Sequence, residues 1–264
     1  EPTDIKTILK QDYQRSDASD FMAQAEQHGI RHLLSNPQTL RLVVNALAGG
    51  AWPQSRDETY KLACASLIQE ESRRHRDRER FNLSAPPLLM DAAGRIFATF
   101  ILADKTGVAL DQSAANDRYV TLNQLGITDT ISANAAMRKQ LFTPSTDIDE
   151  HIEPTHRSIA EYLGSQWLAK QIDQHNLPLS RALNLMRGFD GKVVSGLRGI
   201  YGWLALHCQS AREQLIYDDP ITIALYSDVQ GMSPQEKLLL LEQIRDQLNE
   251  NPSILWELTH APYF

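Results

Sequence analysis

The chain has 264 residues, a net charge of -7 and 42% hydrophobic residues. That length suffices for two compact units or three small ones, and the acidic balance gives no call for nucleic acid or an anionic membrane as main partner. No apolar run reaches the roughly 18 residues that span a bilayer, no charged segment leads a hydrophobic stretch at the N-terminus, and the two cysteines, Cys64 and Cys208, lie far apart among apolar residues. These features predict a cytoplasmic protein with reduced core thiols. The first residue is Glu1 within a helical pattern, so the chain reads as part of a longer polypeptide.

The opening segment reads helix after helix. Ile5, Ile8 and Leu9 form one stripe and Phe21, Met22 and Ala25 another, with Ser19 or Asp20 as caps and Gly29 as a stop. Asn36-Pro37 opens a third helix, with proline in the first turn, and Leu40, Val43, Val44 and Leu47 form its buried face before Gly49-Gly50. Ser55 and Glu58 have capping-box spacing ahead of a long helix carrying Tyr60, Leu62, Cys64, Leu67 and Ile68. The charged run from Glu71 to Arg80 reads as a solvated helix end, although its arginines could contact phosphates.

After Pro86-Pro87 a helix is predicted over Leu88 to Leu102, facing inward through Leu89, Ala92, Ile96, Phe97 and Phe100. A short helix at Leu122 to Leu125, stopped by Gly126-Ile127, and another around Ala133 to Lys139 follow. Gln140 to Pro144 and Glu150 to Pro154 then read as two strands joined by a polar loop. Asp147, Asp149, Glu150, His151 and Glu153 carry metal-ligating groups, but their spacing reads as an acidic hairpin tip, and no metal is assigned.

His156 stands at the strand-to-helix junction. Ile159, Tyr162, Leu163 and Trp167 place one stripe of the next helix inward, and Ser158 or Thr155 could cap it, with Glu161 completing a box if Ser158 does. The backbone N–H groups and dipole of a helix start favour an anion, and an imidazole there adds a donor; a local cap is the alternative use. From Leu177 onward, stripes at Leu183, Leu185 and Met186, at Val193 to Leu206, and at Leu238 to Leu248 suggest stacked helix pairs without a clean period. Asp218-Asp219-Pro220 and Asp228 read as caps rather than a catalytic carboxylate pair, and Trp256 to Phe264 as the edge of a further unit.

Three segments taken in order, Leu33 to Val44, Trp52 to Tyr60 and Glu153-Pro-Thr-His-Arg-Ser-Ile-Ala-Glu-Tyr-Leu-Gly, resemble the region behind the nucleotide-binding core of NACHT-type STAND NTPases. The resemblance covers roughly residues 5 to 175; Thr155 stands where the family often has an aromatic, and Gly164-Ser165 replaces a pair of alanines. It implies a mainly α fold: a small helical domain over 1–50, a winged-helix domain with a short β-hairpin over 51–175, and HEAT-like helical repeats beginning over 176–264. It also implies that Pro37 packs on the adenine of a bound nucleotide and that His156 reaches the phosphates of ADP in the resting state.

The chain has no Gly-x-x-x-x-Gly-Lys-Ser/Thr loop and no apolar strand ending in paired acids, so it is expected not to be an enzyme by itself, with no catalytic residue assigned and no cofactor for the isolated fragment. ADP and ATP would belong to the full-length parent, an ATPase acting in signal transduction such as bacterial defence. The expected partners are the nucleotide-binding core of the same polypeptide and proteins that dock on the C-terminal repeats. A winged-helix nucleic-acid binder and a helical-repeat scaffold are the alternatives. The acids Asp147, Asp149 and Glu150 at the wing tip oppose the first, and the strands at 140–154 interrupt the second.

Overall fold

The structure is a computed structural model that describes residues 2–11, 17–27, 34, 40, 43, 44, 47, 52–69, 85–253 and 255. Pro37, the arginine-rich run from Glu71 to Arg80 and the C-terminal Trp256 to Phe264 lie outside the described residues. The fold is mainly α with a small sheet.

Helices α1 (Pro2–Gln11) and α2 (Ala18–Gln27) bury Ile5, Leu9, Phe21, Met22 and Ala25 in one apolar cluster, together with Leu40 and Val43. Trp52 closes it, its ring 4.9 Å from Phe21. Helix α2 begins at Ala18, so Ser19 and Asp20 lie inside its first turn rather than capping it. Helix α3 (Arg56–Gln69) starts on Ser55, whose hydroxyl accepts the Glu58 N–H, while the Glu58 carboxylate reaches back to the Gln54 N–H.

A second, larger cluster runs from Tyr60 on α3 to Leu240 near the C-terminus. At its centre α4 (Pro86–Leu102) packs along α6 (Arg157–Asp173). Small residues permit the close approach. A Cβ at Gly94 would lie 2.6 Å from the Leu163 carbonyl oxygen, and one at Gly164 would lie 3.0 Å from the Ala98 nitrogen. Of the predicted stripe, Ile159, Tyr162 and Leu163 are buried and Trp167 is half-buried.

Between α4 and α6 lies a sheet of four short strands, β1 (Gly107–Ala109), β2 (Tyr119–Val120), β3 (Phe142–Pro144) and β4 (His151–Pro154), in the order β2-β1-β4-β3. Strands β3 and β4 form the predicted hairpin, with Thr143 opposite Glu153. The other two strands add to it: β1 pairs antiparallel with β4 through Val108 and Ile152, and parallel with β2. The predicted helix at Leu122 to Leu125 is a turn instead, closed by Gly126 at a φ of 67°. Helix α5 (Thr130–Met137) follows, with Asp129 accepting the Ser132 N–H at its start.

The C-terminal part consists of α7 (Leu179–Met186), α8 (Arg198–His207), α9 (Arg212–Asp218), α10 (Pro220–Tyr226) and α11 (Pro234–Glu250). The Val193 to Leu206 stripe is helical only from the 3₁₀ turn Ser195–Leu197 onward, because Val193 pairs with Arg187 in an isolated bridge. Leu185, Leu238 and Leu241, placed on inward stripes by the sequence, are exposed, while their neighbours Met186 and Leu240 take the buried face. Asp219 and Asp228 are caps as predicted, accepting the Thr222 and Gln230 N–H groups, whereas Asp218 pairs with Arg187 and accepts the Tyr201 hydroxyl.

Candidate functional site

His156 is the N-cap of α6, with extended backbone (φ -144°, ψ 132°), and its carbonyl accepts the N–H groups of Ile159 and Ala160. Its Nδ1 is buried. The capping box expected from Ser158 and Glu161 does not form. The helix begins one residue after His156, which places Ser158 within the first turn, and Glu161 is bound by Arg157 at 3.0 Å. Thr155 is not the cap either. Its hydroxyl donates to the Gln140 carbonyl and its N–H to the Leu141 carbonyl, which fixes the path from β4 into α6.

A cleft of about 450 Å³ opens in front of this helix start. Its lining includes the apolar Phe100, Pro154 and Ala160, the cations Lys105, Arg118 and Arg157, and the acids Asp104 and Glu153. The sheet positions the cations. The Thr106 N–H donates to the Arg118 carbonyl, Arg118 Nε donates to Thr106 Oγ1 at 3.2 Å, and Lys105 Nζ reaches the Asp117 carbonyl at 2.9 Å. Glu153 accepts the Tyr119 hydroxyl, which occupies one of its oxygens. Arg157 extends from the helix start toward the Gly196 carbonyl at 2.6 Å. Three cations and an imidazole therefore share one opening of small-molecule size at the N-terminal end of a 17-residue helix. The arrangement suits a polyvalent anion. Lys105 and Arg118 carry no sequence signal for this role, since the two-residue strand that brings Arg118 beside Thr106 has no readable pattern.

The acidic hairpin tip behaves differently. Asp147, Asp149 and Glu150 are exposed, but His151 turns inward, stacks on Tyr119 at 3.8 Å and bonds the Ala114 carbonyl through Nε2 at 2.7 Å. Among the described residues no group of three or more potential ligands is gathered for a metal.

A second polar cluster lies where α3, α6 and α8 meet. Tyr162 donates its hydroxyl to Asp57 Oδ1 at 2.9 Å, His207 Nε2 stands 3.5 Å from the same oxygen, and His207 Nδ1 lies 2.9 Å from Ser165 Oγ. The trio of Ser165, His207 and Asp57 has the residue types of a nucleophilic triad. Ser165 is fully buried and donates to the Tyr162 carbonyl, so its oxygen meets no substrate. Asp57 titrates below the usual carboxylate range, chiefly through the facing His207 and secondarily through the Tyr162 hydroxyl, with burial opposing both.

Set against known family models, curated proteins and solved structures, the chain gives no match. No helix among the described residues is long and apolar enough to cross a membrane.

Proposed function

We propose that this chain is a non-catalytic regulatory region of a NACHT-type STAND ATPase, which helps hold ADP in the resting state and couples C-terminal sensor repeats to the nucleotide switch. One observation carries the reading: His156 caps α6 at a cleft whose lining includes Lys105, Arg118 and Arg157. A diphosphate presents the charge that such cations and helix start favour. The cleft supplies only the phosphate end. In this reading the nucleotide-binding core of the same polypeptide provides the phosphate loop and magnesium ligands, and Pro37 faces the base. The exposed acids at the hairpin tip weigh against the nucleic-acid alternative, because a wing that follows a phosphate backbone needs the opposite charge.

The test is ADP retention by the full-length polypeptide, wild type against His156→Ala. Loss of one charge-assisted contact predicts release about tenfold faster, with the substituted protein biased toward its active state. Unchanged retention and unchanged activity would reduce His156 to a backbone cap.

A further inference from the structure

The first turn of α3 is held to the C-terminal helices by polar contacts that are only partly satisfied. Arg56 Nη1 donates to the Tyr226 carbonyl at 2.9 Å, at the end of α10, and its guanidinium lies 4.7 Å from the Trp203 ring on α8. The Asp57 N–H donates to Asp228 Oδ2 at 2.7 Å, and the Asp57 carboxylate faces Tyr162 on α6 and His207 at the end of α8. Two adjacent residues thus touch α6, α8, α10 and the turn that follows α10. The same spot carries three buried polar atoms without a hydrogen-bond partner: Arg56 Nε, His207 Nε2 and Ser227 Oγ. At 3.5 Å, His207 Nε2 is an electrostatic neighbour of Asp57 rather than a formed hydrogen bond.

A buried polar joint that leaves donors and acceptors unpaired is a poor device for stability, since each unpaired group loses water without a replacement. It is a good device for a contact that must open. The Asp57 side chain is 39% exposed, so water and ions can compete for it. The rest of α3 is anchored separately by the buried Tyr60, Ala63, Cys64, Leu67 and Ile68. Only the first turn is therefore free to part without unfolding the helix.

We propose that Arg56 and Asp57 form a releasable latch, which clasps the start of α3 to α8 and to the α10–α11 connection and opens as a local unit. Trp52, four residues ahead of Arg56, packs on the N-terminal cluster, so opening the latch frees the lead-in from that cluster from the C-terminal helices. The latch joins the start of α3 to the C-terminal helices, apart from the cleft at His156.

Amide hydrogen exchange on the full chain tests it. In the wild type, raising NaCl from about 0.05 to 1 M should speed exchange of the Asp57, Glu58 and Thr59 amides while those of α4 and α6 stay protected, because contacts made by the charged groups of Arg56, Asp57 and Asp228 weaken with salt and apolar packing does not. Asp57→Asn should raise exchange at the same amides about tenfold at low salt and weaken the salt response. Exchange at residues 57–59 that ignores salt, or that rises only together with α4 and α6, overturns the latch and leaves an ordinary part of the core. The wild-type salt series decides the matter even if the Asp57→Asn protein fails to fold.

Discussion

Asp57 shows how one side chain acquires a pH dependence from its neighbours. Its carboxyl is held below its ordinary value of 3.8, first by His207 and then by the Tyr162 hydroxyl, with Lys61 adding a smaller attraction. Arg56 on the same turn and Asp228, which accepts the Asp57 N–H, complete the charged surroundings. A carboxyl depressed in the fold stabilises it fully above the unfolded value, and that contribution disappears as the pH falls through the folded value. The stability gap between wild type and Asp57→Asn should therefore shrink as the pH falls below about 4, as measured by urea denaturation at successive pH values. A gap that widens in acid would contradict the assignment. Glu161 has the opposite character, since burial pushes its carboxyl up against the pull of Arg157. His156, the residue that carries the functional reading, was legible in the sequence because a strand-like run ends immediately before a helical stripe. The exact cap was not, since Ser158 and Glu161 have capping-box spacing while the backbone starts the helix on His156, two residues earlier.

At the scale of elements, the contact between α4 and α6 is set by two glycines. An alanine at Gly94 would press its methyl on the Leu163 carbonyl and the Trp167 Cβ, so the helices must part along their length. Gly94→Ala should cost about 1–3 kcal/mol in chemical denaturation, whereas Gly196→Ala, with nothing within 4 Å, should stay within about 0.5 kcal/mol. Equal effects at both positions would mean that the close approach of α4 and α6 at Gly94 adds no packing cost. The long elements were legible. Pro86-Pro87 marks the start of α4, an apolar face runs along it, and alternating residues flanked by prolines mark β3 and β4. Strands β1 and β2 were not, because at three and two residues they are too short to show alternation. Their existence depends on the edge that β4 offers. The ends of the same strands bring Lys105 and Arg118 to the cleft, so two of its three cations were hidden with them.

For the molecule as a whole, one apolar cluster connects α3 through α6 to α8 and on to α11. Trp203 is its link. It is 1% exposed, 4.9 Å from Tyr60 on α3 and 5.0 Å from Tyr162 on α6. Truncating it to alanine should cost about 3–5 kcal/mol and move a single unfolding transition, with aromatic and backbone circular dichroism coinciding. Two separated transitions, with α7 to α11 melting first, would show that the cluster is divided. Only local opening of the α3 latch should precede that transition.

The strand order carries a consequence for synthesis. Strand β4 sits between β1 and β3 yet is made last of the four, and α6, which covers α4, follows it directly. While the ribosome is still producing residues 103 to 150, the face of α4 that packs on α6 stays open and β1 lacks its antiparallel neighbour. The nascent chain must therefore hold an oily helix in waiting for the span of some fifty residues, and the arrival of His151 to Asp173 lets the middle of the protein close in one late step.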